Sequence, residues 1–94
     1  MIQRFCFIKL ADDAVADRAK IAEVARAELR AACADVVVGL PADDSAARWD
    51  LSIVFTAATL EAWNAIAQLP DVVRALEDLT TRAAVVKAWT FEGS

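Results

Sequence analysis

Residues Ile2 to Leu10 are apolar on both faces of the β-strand that they are expected to form. Because side chains alternate along a strand, Phe5 and Phe7 point to one side while Cys6 and Ile8 point to the other. A chain of this size normally covers only one face of such a strand. The second apolar face therefore predicts a partner, and a second copy of the same chain is the expected one.

The composition leads to the same expectation. The chain has 94 residues, of which 59% are hydrophobic, and its mean hydropathy is +0.40. A single domain spanning residues 1–94 buries only a modest core by itself. Alanine supplies part of the apolar excess, but the larger side chains exceed what one small core readily hides. Burial between subunits is the economical explanation.

Charge and hydropathy patterns exclude several function classes. The net charge is −4 and the basic residues are scattered, so we expect no nucleic-acid partner. No apolar run approaches the roughly 20 residues of a membrane span, so we expect no membrane partner. The chain starts directly with a strand rather than with a signal-peptide pattern, which predicts a cytoplasmic location.

Residues that could hold a metal or a cofactor are also scarce. Cys6 and Cys33 are far apart and belong to no Cys/His cluster, so we predict two reduced thiols in the core. There is no histidine, and adjacent acids such as Asp43 and Asp44 lack the spacing of a calcium loop. We therefore expect neither a metal nor a cofactor.

The hydrophobic pattern predicts alternating strands and helices. After the first strand, Ala11-Asp12-Asp13 offers turn and cap residues, and apolar positions then recur at helical spacing from Val15 to about Ala34. A short strand at Val36 to Val38 follows, ended by Gly39. A polar loop over residues 41–47 separates it from the second half of the chain.

The second half repeats the order. Residues 49–56 alternate, with Trp49, Leu51, Ile53 and Phe55 expected on one face. Thr59 is a candidate cap for a helix that begins at Leu60, and Pro70 is expected to interrupt this helix and to start another. Residues 84–91 form the last predicted strand.

The predicted order βαββαβ is the α+β, ferredoxin-like arrangement. Right-handed crossovers place both helical segments on one face of a four-stranded antiparallel sheet. The other face is too apolar to leave wet, so two sheets should pack face to face in a dimeric α+β barrel. The residues expected at this dimer interface are Phe5, Phe7, Val54, Val85, Trp89 and Phe91.

The chain resembles the stress-responsive A/B barrel (Dabb) proteins over nearly its whole length. The resemblance rests on the opening strand, Val38-Gly39 with its polar loop, residues 49–55, Leu60 to Trp63 with Pro70, and the closing strand. It implies a homodimer with a cavity between sheet and helices. Some relatives are cofactor-free cyclases, but Arg4, Ile66 and Val72 stand here where the cyclases carry two histidines and a tyrosine. The resemblance therefore implies the fold but not that reaction.

A ligand pocket is expected between the sheet and the helices. Arg4 is its only predicted charge and could hold a carboxylate or enolate oxygen; the alternative is that it reaches water at the strand end and pairs with a surface acid. Asp50, Lys9 and Lys87 are expected on the barrel face or its rim, in ion pairs across strands or between subunits. The predicted pocket residues are Arg4, Cys6, Ile8, Ile53, Phe55, Ile66 and Val72.

Three functions remain open from the sequence. The first is a homodimeric barrel protein that binds a small apolar or weakly acidic molecule. The second is a cofactor-independent cyclase or monooxygenase, which would need a general base other than histidine or tyrosine. The third is a structural or regulatory dimerisation module. The fold alone does not choose among them.

Overall fold

The computed structural model describes residues 1–94 and contains four strands and three α-helices. Their order is βαββααβ, in which two consecutive helices take the place of the second predicted helical segment. The elements are β1 (Ile2–Leu10), α1 (Arg18–Ala32), β2 (Val36–Gly39), β3 (Leu51–Ala57), α2 (Leu60–Ala67), α3 (Pro70–Thr81) and β4 (Ala83–Glu92).

The four strands form one antiparallel sheet in the order β2-β3-β1-β4. β1 and β3 are therefore central, and β2 and β4 are the edges. β1 pairs with β3 from Ile2 opposite Ala57, and with β4 from Ile2 opposite Glu92. This topology confirms the predicted ferredoxin-like fold.

The helices cover one face of the sheet. On β1 the apolar residues of that face, Ile2, Cys6, Ile8 and Leu10, are buried, whereas Lys9 on the opposite face is exposed. They join the buried faces of the helices in one hydrophobic core of nineteen residues. No helix in the structure combines the length and the apolar character that crossing a membrane requires.

The second helical segment begins and breaks where the sequence predicts. Thr59 caps α2, because its Oγ1 accepts a hydrogen bond from the backbone N–H of Ala62 at 3.1 Å. Pro70 is the first residue of α3, a position where its missing N–H costs nothing. α3 then buries Val72, Ala75 and Leu79, whereas Val73 remains exposed.

The predicted start of the first helix was wrong. A single turn of 3-10 helix spans Val15–Asp17, and α1 begins only at Arg18 without a side-chain cap from Asp12 or Asp13. Val15 is exposed, whereas Ala22, Ala25 and Leu29 are buried in α1 together with Ile21. Spacing alone could not locate the start, because the residues before α1 form a separate 3-10 turn.

The predicted side of Trp49 and Asp50 was also wrong, because β3 begins only at Leu51. Asp50 is 8% exposed; its Oδ2 accepts from the backbone N–H of Leu10 at 2.8 Å, and its Oδ1 lies 3.3 Å from Nη1 of Arg18. Trp49 instead contacts Phe7 on the uncovered face, with ring centroids 5.8 Å apart. Asp50 thus joins the end of β1 to the start of β3 and forms no barrel-face ion pair.

Candidate functional site

Arg4 lies on the helix-covered side of β1 and is half-buried. Its Nη1 donates a hydrogen bond to Oγ1 of Thr90 at 3.0 Å, and its Cζ lies 5.9 Å from the ring centroid of Trp63. This second distance is within the range of a cation–π contact. The guanidinium is therefore held between an aromatic ring of α2 and a hydroxyl of β4.

Strand register explains this placement. Arg4 pairs with Phe55 on β3 and with Thr90 on β4, and residues directly opposite in an antiparallel pair point to the same face. Phe55 is buried and contacts Trp63, with ring centroids 5.0 Å apart. Phe55 and Trp63 therefore form an apolar wall beside the guanidinium.

The charge of Arg4 has no carboxylate partner. The ion pairs of the structure join Arg18 to Asp50, Lys20 to Glu23, and Arg74 to Asp71. A guanidinium carries five N–H donors, and one of them is donated to Oγ1 of Thr90.

Cys6 lies two residues along β1, on the same side as Arg4. Burial raises the pKa of the Cys6 thiol above its usual value, and the nearby Arg4 guanidinium offsets part of this increase. The thiol is therefore protonated at neutral pH. It is a weak donor in an apolar wall rather than a thiolate nucleophile.

The other predicted pocket residues lie in the core. Ile66 is half-buried against it, while Ile8, Ile53, Phe55 and Val72 are at most 2% exposed. These four side chains pack within the hydrophobic core. Of the seven predicted pocket residues, only Arg4 and Ile66 are accessible from outside.

Two clefts lie elsewhere on the molecule, between α1 and α3. The larger has a volume of about 470 Å³ and is lined by apolar residues such as Val24 and Leu79, with Lys20 and Arg82 among its charges. The second, of about 360 Å³, shares Glu28 and Asp78 with the first. Neither cleft contains a residue of the predicted pocket.

The six predicted interface residues all lie on the uncovered face of the sheet, which we call the open face. Phe5, Phe7 and Val54 are half-buried there by their neighbours, and Trp89 and Phe91 are 46% and 58% exposed. Edge-to-face packing joins Phe5 to Phe91, with centroids 5.8 Å apart. The six predicted interface residues on this face are Phe5, Phe7, Val54, Val85, Trp89 and Phe91.

Lys9 and Lys87 share the open face, and both are exposed. Neither takes part in an ion pair within the chain. The predicted cross-strand salt bridges are therefore absent from the single subunit. No group of three or more His, Cys, Asp or Glu residues is placed to hold a metal ion.

Sequence reasoning missed two partners of the Arg4 site. Neither Trp63 nor Thr90 is among the predicted pocket residues. The pairing of Arg4 with Thr90 follows from the register of β1 against β4. Aligning the two strands by their apolar alternation would have suggested it, because Phe5 and Trp89 are also opposite each other.

Comparison with known proteins gives the fold but no family. No protein-family model matches the chain, and no curated protein matches it. Among solved structures, a dimeric ferredoxin-like protein of unknown function from Thermobifida fusca YX is similar over 98% of this chain and 90% of its own, with a TM-score of 0.82 and 20% identity. The fold is ferredoxin-like.

Two further structures are similar over the whole domain. A dimeric protein of unknown function and ferredoxin-like fold from Bacteroides fragilis NCTC 9343 has a TM-score of 0.79 and 18% identity, covering 98% of this chain and 95% of that one. A putative antibiotic biosynthesis monooxygenase from Deinococcus radiodurans has a TM-score of 0.73 and 17% identity, covering 100% and 93%. At these identities the likeness extends to the fold and not to the chemistry.

Proposed function

We propose that this chain is a homodimeric barrel protein that binds a small, weakly acidic molecule at Arg4. The main support for a ligand site is the half-buried guanidinium of Arg4, which contacts Trp63 and Thr90 but has no carboxylate partner. Arg4 would bind a carboxylate through two parallel N–H donors, the geometry in which arginine excels. Ile66, the other accessible residue of the predicted pocket, would contact the apolar part of the molecule.

The open face supports the homodimer. Monomeric soluble proteins rarely expose a continuous apolar patch of this kind, and Trp89, Phe91 and Val37 are each about half exposed or more. Residues on both central strands contribute, so the patch is broad and lies opposite the covered face. Two copies packed through it would close a barrel, the assembly that the resemblance to stress-responsive A/B barrel proteins implies. The dimeric structures from Thermobifida fusca and Bacteroides fragilis lend support.

A cofactor-independent enzyme is the competing function, favoured by the similarity to the Deinococcus radiodurans protein. Such an enzyme needs a group that accepts or delivers a proton. The chain has no histidine and no tyrosine, and the raised pKa of Cys6 leaves its thiol protonated. Binding without turnover is therefore the better-supported proposal, and Arg4 is its anchor.

The dimer is tested by sedimentation equilibrium of the wild type, Trp89→Lys and Val24→Lys. Both substitutions place a lysine at an exposed apolar position, but Val24 lies on α1 and Trp89 on the open face. We expect a dimer at micromolar concentration for the wild type and for Val24→Lys, and a folded monomer for Trp89→Lys. A wild type that is monomeric at tens of micromolar rejects the dimer.

The ligand site is tested by NMR titration with benzoate, following the indole N–H of Trp63. We expect its resonance to shift in the wild type and in Arg48→Leu, a control that removes an exposed arginine from the loop before β3. Arg4→Leu should abolish the shift, and Arg4→Lys should weaken it, because lysine keeps the charge but loses the two-pronged contact. A Trp63 resonance that does not respond in the wild type contradicts the site and favours a purely structural module.

A further inference from the structure

The last residue of β4 carries a carboxylate toward the Arg4 site. Thr90 points to the helix-covered side, because its Oγ1 accepts from Arg4. The register of β4 against β1 continues without a shift from Thr90 to Glu92, so Glu92 points to the same side two residues further on. Glu92 lies opposite Ile2 on β1, and the buried Ile2 side chain points to the helix-covered side. Because paired residues point to the same face, this agrees with the orientation of Glu92.

Glu92 is held at this position by the backbone. Beyond the Ile2–Glu92 pair, the N–H of Gly93 donates to the carbonyl oxygen of Met1 at 2.8 Å, so the strand pairing extends past Glu92. Residues diagonal to each other across two strands lie about 7 to 8 Å apart, within the reach of long side chains. Arg4 and Glu92 are such a pair, yet no ion pair joins them in the structure.

We infer that Glu92 makes the Arg4 site selective for molecules with one negative charge. This inference rests on the proposed ligand site and concerns which acids it accepts. A monocarboxylate would form an ion pair with the Arg4 guanidinium, whereas the second negative charge of a dianion would be repelled by the Glu92 carboxylate. Like charges at this separation repel, and because Glu92 is exposed the repulsion is partly screened by solvent and salt.

The same arrangement also determines which part of a ligand contributes most to its affinity. In the structure the Arg4 guanidinium bonds to Thr90 and forms no ion pair with Glu92, so the Glu92 carboxylate would act on a bound acid through its charge alone. Ligands whose apolar part contacts Ile66 would gain affinity that the charge does not supply. Small inorganic dianions such as phosphate lack that apolar part, and Glu92 disfavours their charge as well.

The experiment compares benzoate with phthalate, which adds a second carboxylate to the same ring. Binding is measured by the NMR shift of the Trp63 indole at about pH 8, where both phthalate carboxylates are ionised. In the wild type we expect benzoate to bind more tightly than phthalate. Glu92→Gln should raise phthalate affinity about three- to tenfold and benzoate affinity by less, as expected for one screened like-charge repulsion.

Glu77→Gln, on the exposed side of α3, is the matched control for the loss of one negative charge. It should leave both affinities unchanged. Equal gains for benzoate and phthalate in Glu92→Gln, or no gain for either, overturn the selectivity while the Arg4 site stands. Absence of benzoate binding in both the wild type and Glu92→Gln overturns the ligand site and the inference together.

Discussion

Both faces of the sheet carry large apolar side chains, but the two faces differ in what covers them. On the covered face, Phe55 is 1% exposed and contacts Trp63. On the open face, Phe91 is 58% exposed although it contacts Phe5. The covered face thus stabilises the subunit, and the open face is available to stabilise an assembly. The alternation in the sequence predicts which side chains share a face, and it assigned Phe5 and Phe91 to the face that the structure leaves open.

The largest difference is expected between truncations on the two faces. Phe55→Ala should lower the free energy of unfolding by about 3 to 5 kcal/mol, because it leaves a cavity in a packed core. Phe91→Ala should lower it by only about 1 kcal/mol in a dilute, monomeric sample, mainly through the lost contact with Phe5. Urea unfolding at two protein concentrations measures both.

Concentration dependence sharpens this first test. If the open face is a dimer interface, the effect of Phe91→Ala should grow as the protein concentration rises, because association stabilises the folded chain. The effect of Phe55→Ala should change little. Equal losses for the two variants at low concentration would contradict the assignment of the core to the covered face.

The second contrast concerns a charge on each face. Asp50→Ala should cost about 2 to 3 kcal/mol, because the buried N–H of Leu10 loses its charged acceptor. Lys87→Ala on the open face should change stability by no more than about 0.5 kcal/mol, since Lys87 is exposed and has no ion pair. Thermal unfolding of the two variants checks this, and a large loss in Lys87→Ala would mean that the open face is already covered.

The smallest expected effect is a pH dependence from Cys6. The folded-state pKa of its thiol is raised by burial, so the folded protein holds this proton more tightly than the unfolded chain. Stability should therefore be unaffected below the unfolded thiol pKa and should decline as the pH rises from there through the folded pKa. Cys6→Ala should flatten this alkaline decline.

The control for this measurement is the second thiol. The pKa of Cys33 is also raised by burial and by the nearby Asp35 carboxylate, but Cys33 is only half-buried. Thiol labelling at neutral pH should therefore modify Cys33 well before Cys6. Faster labelling of Cys6 would show that the covered face opens readily.

The sequence predicted the fold because its strands have strong local patterns. The alternation through β1 and the proline at the start of α3 each determine a local structure without long-range help. The failures occurred where the outcome depends on distant residues. Trp49 and Asp50 continue the alternation of β3, but Asp50 turns inward because the N–H of Leu10, forty residues away in the sequence, needs an acceptor.

The Arg4 site was only partly predictable for a similar reason. Alternation placed Arg4 on the same side as Cys6, which the structure confirms by their shared side of β1. Its contacts depend on how β4 pairs with β1 and on how deeply α2 packs its Trp63. Both are non-local properties. Ile8, Ile53 and Val72 were expected to line a pocket, but the helices pack closely against the sheet and bury them in the core. The alternation along a strand does not specify how closely the helices pack.

The position of β4 has a consequence for how the chain folds during synthesis. β1 pairs with β4 over most of its length, with Ile2 opposite Glu92, so the central strand keeps one open edge until β4 leaves the ribosome. Contacts of such large sequence separation form slowly, because a long loop must close first. A nascent chain halted before β4 would expose an unpaired apolar edge on β1, the kind of surface that chaperones protect and that aggregation exploits.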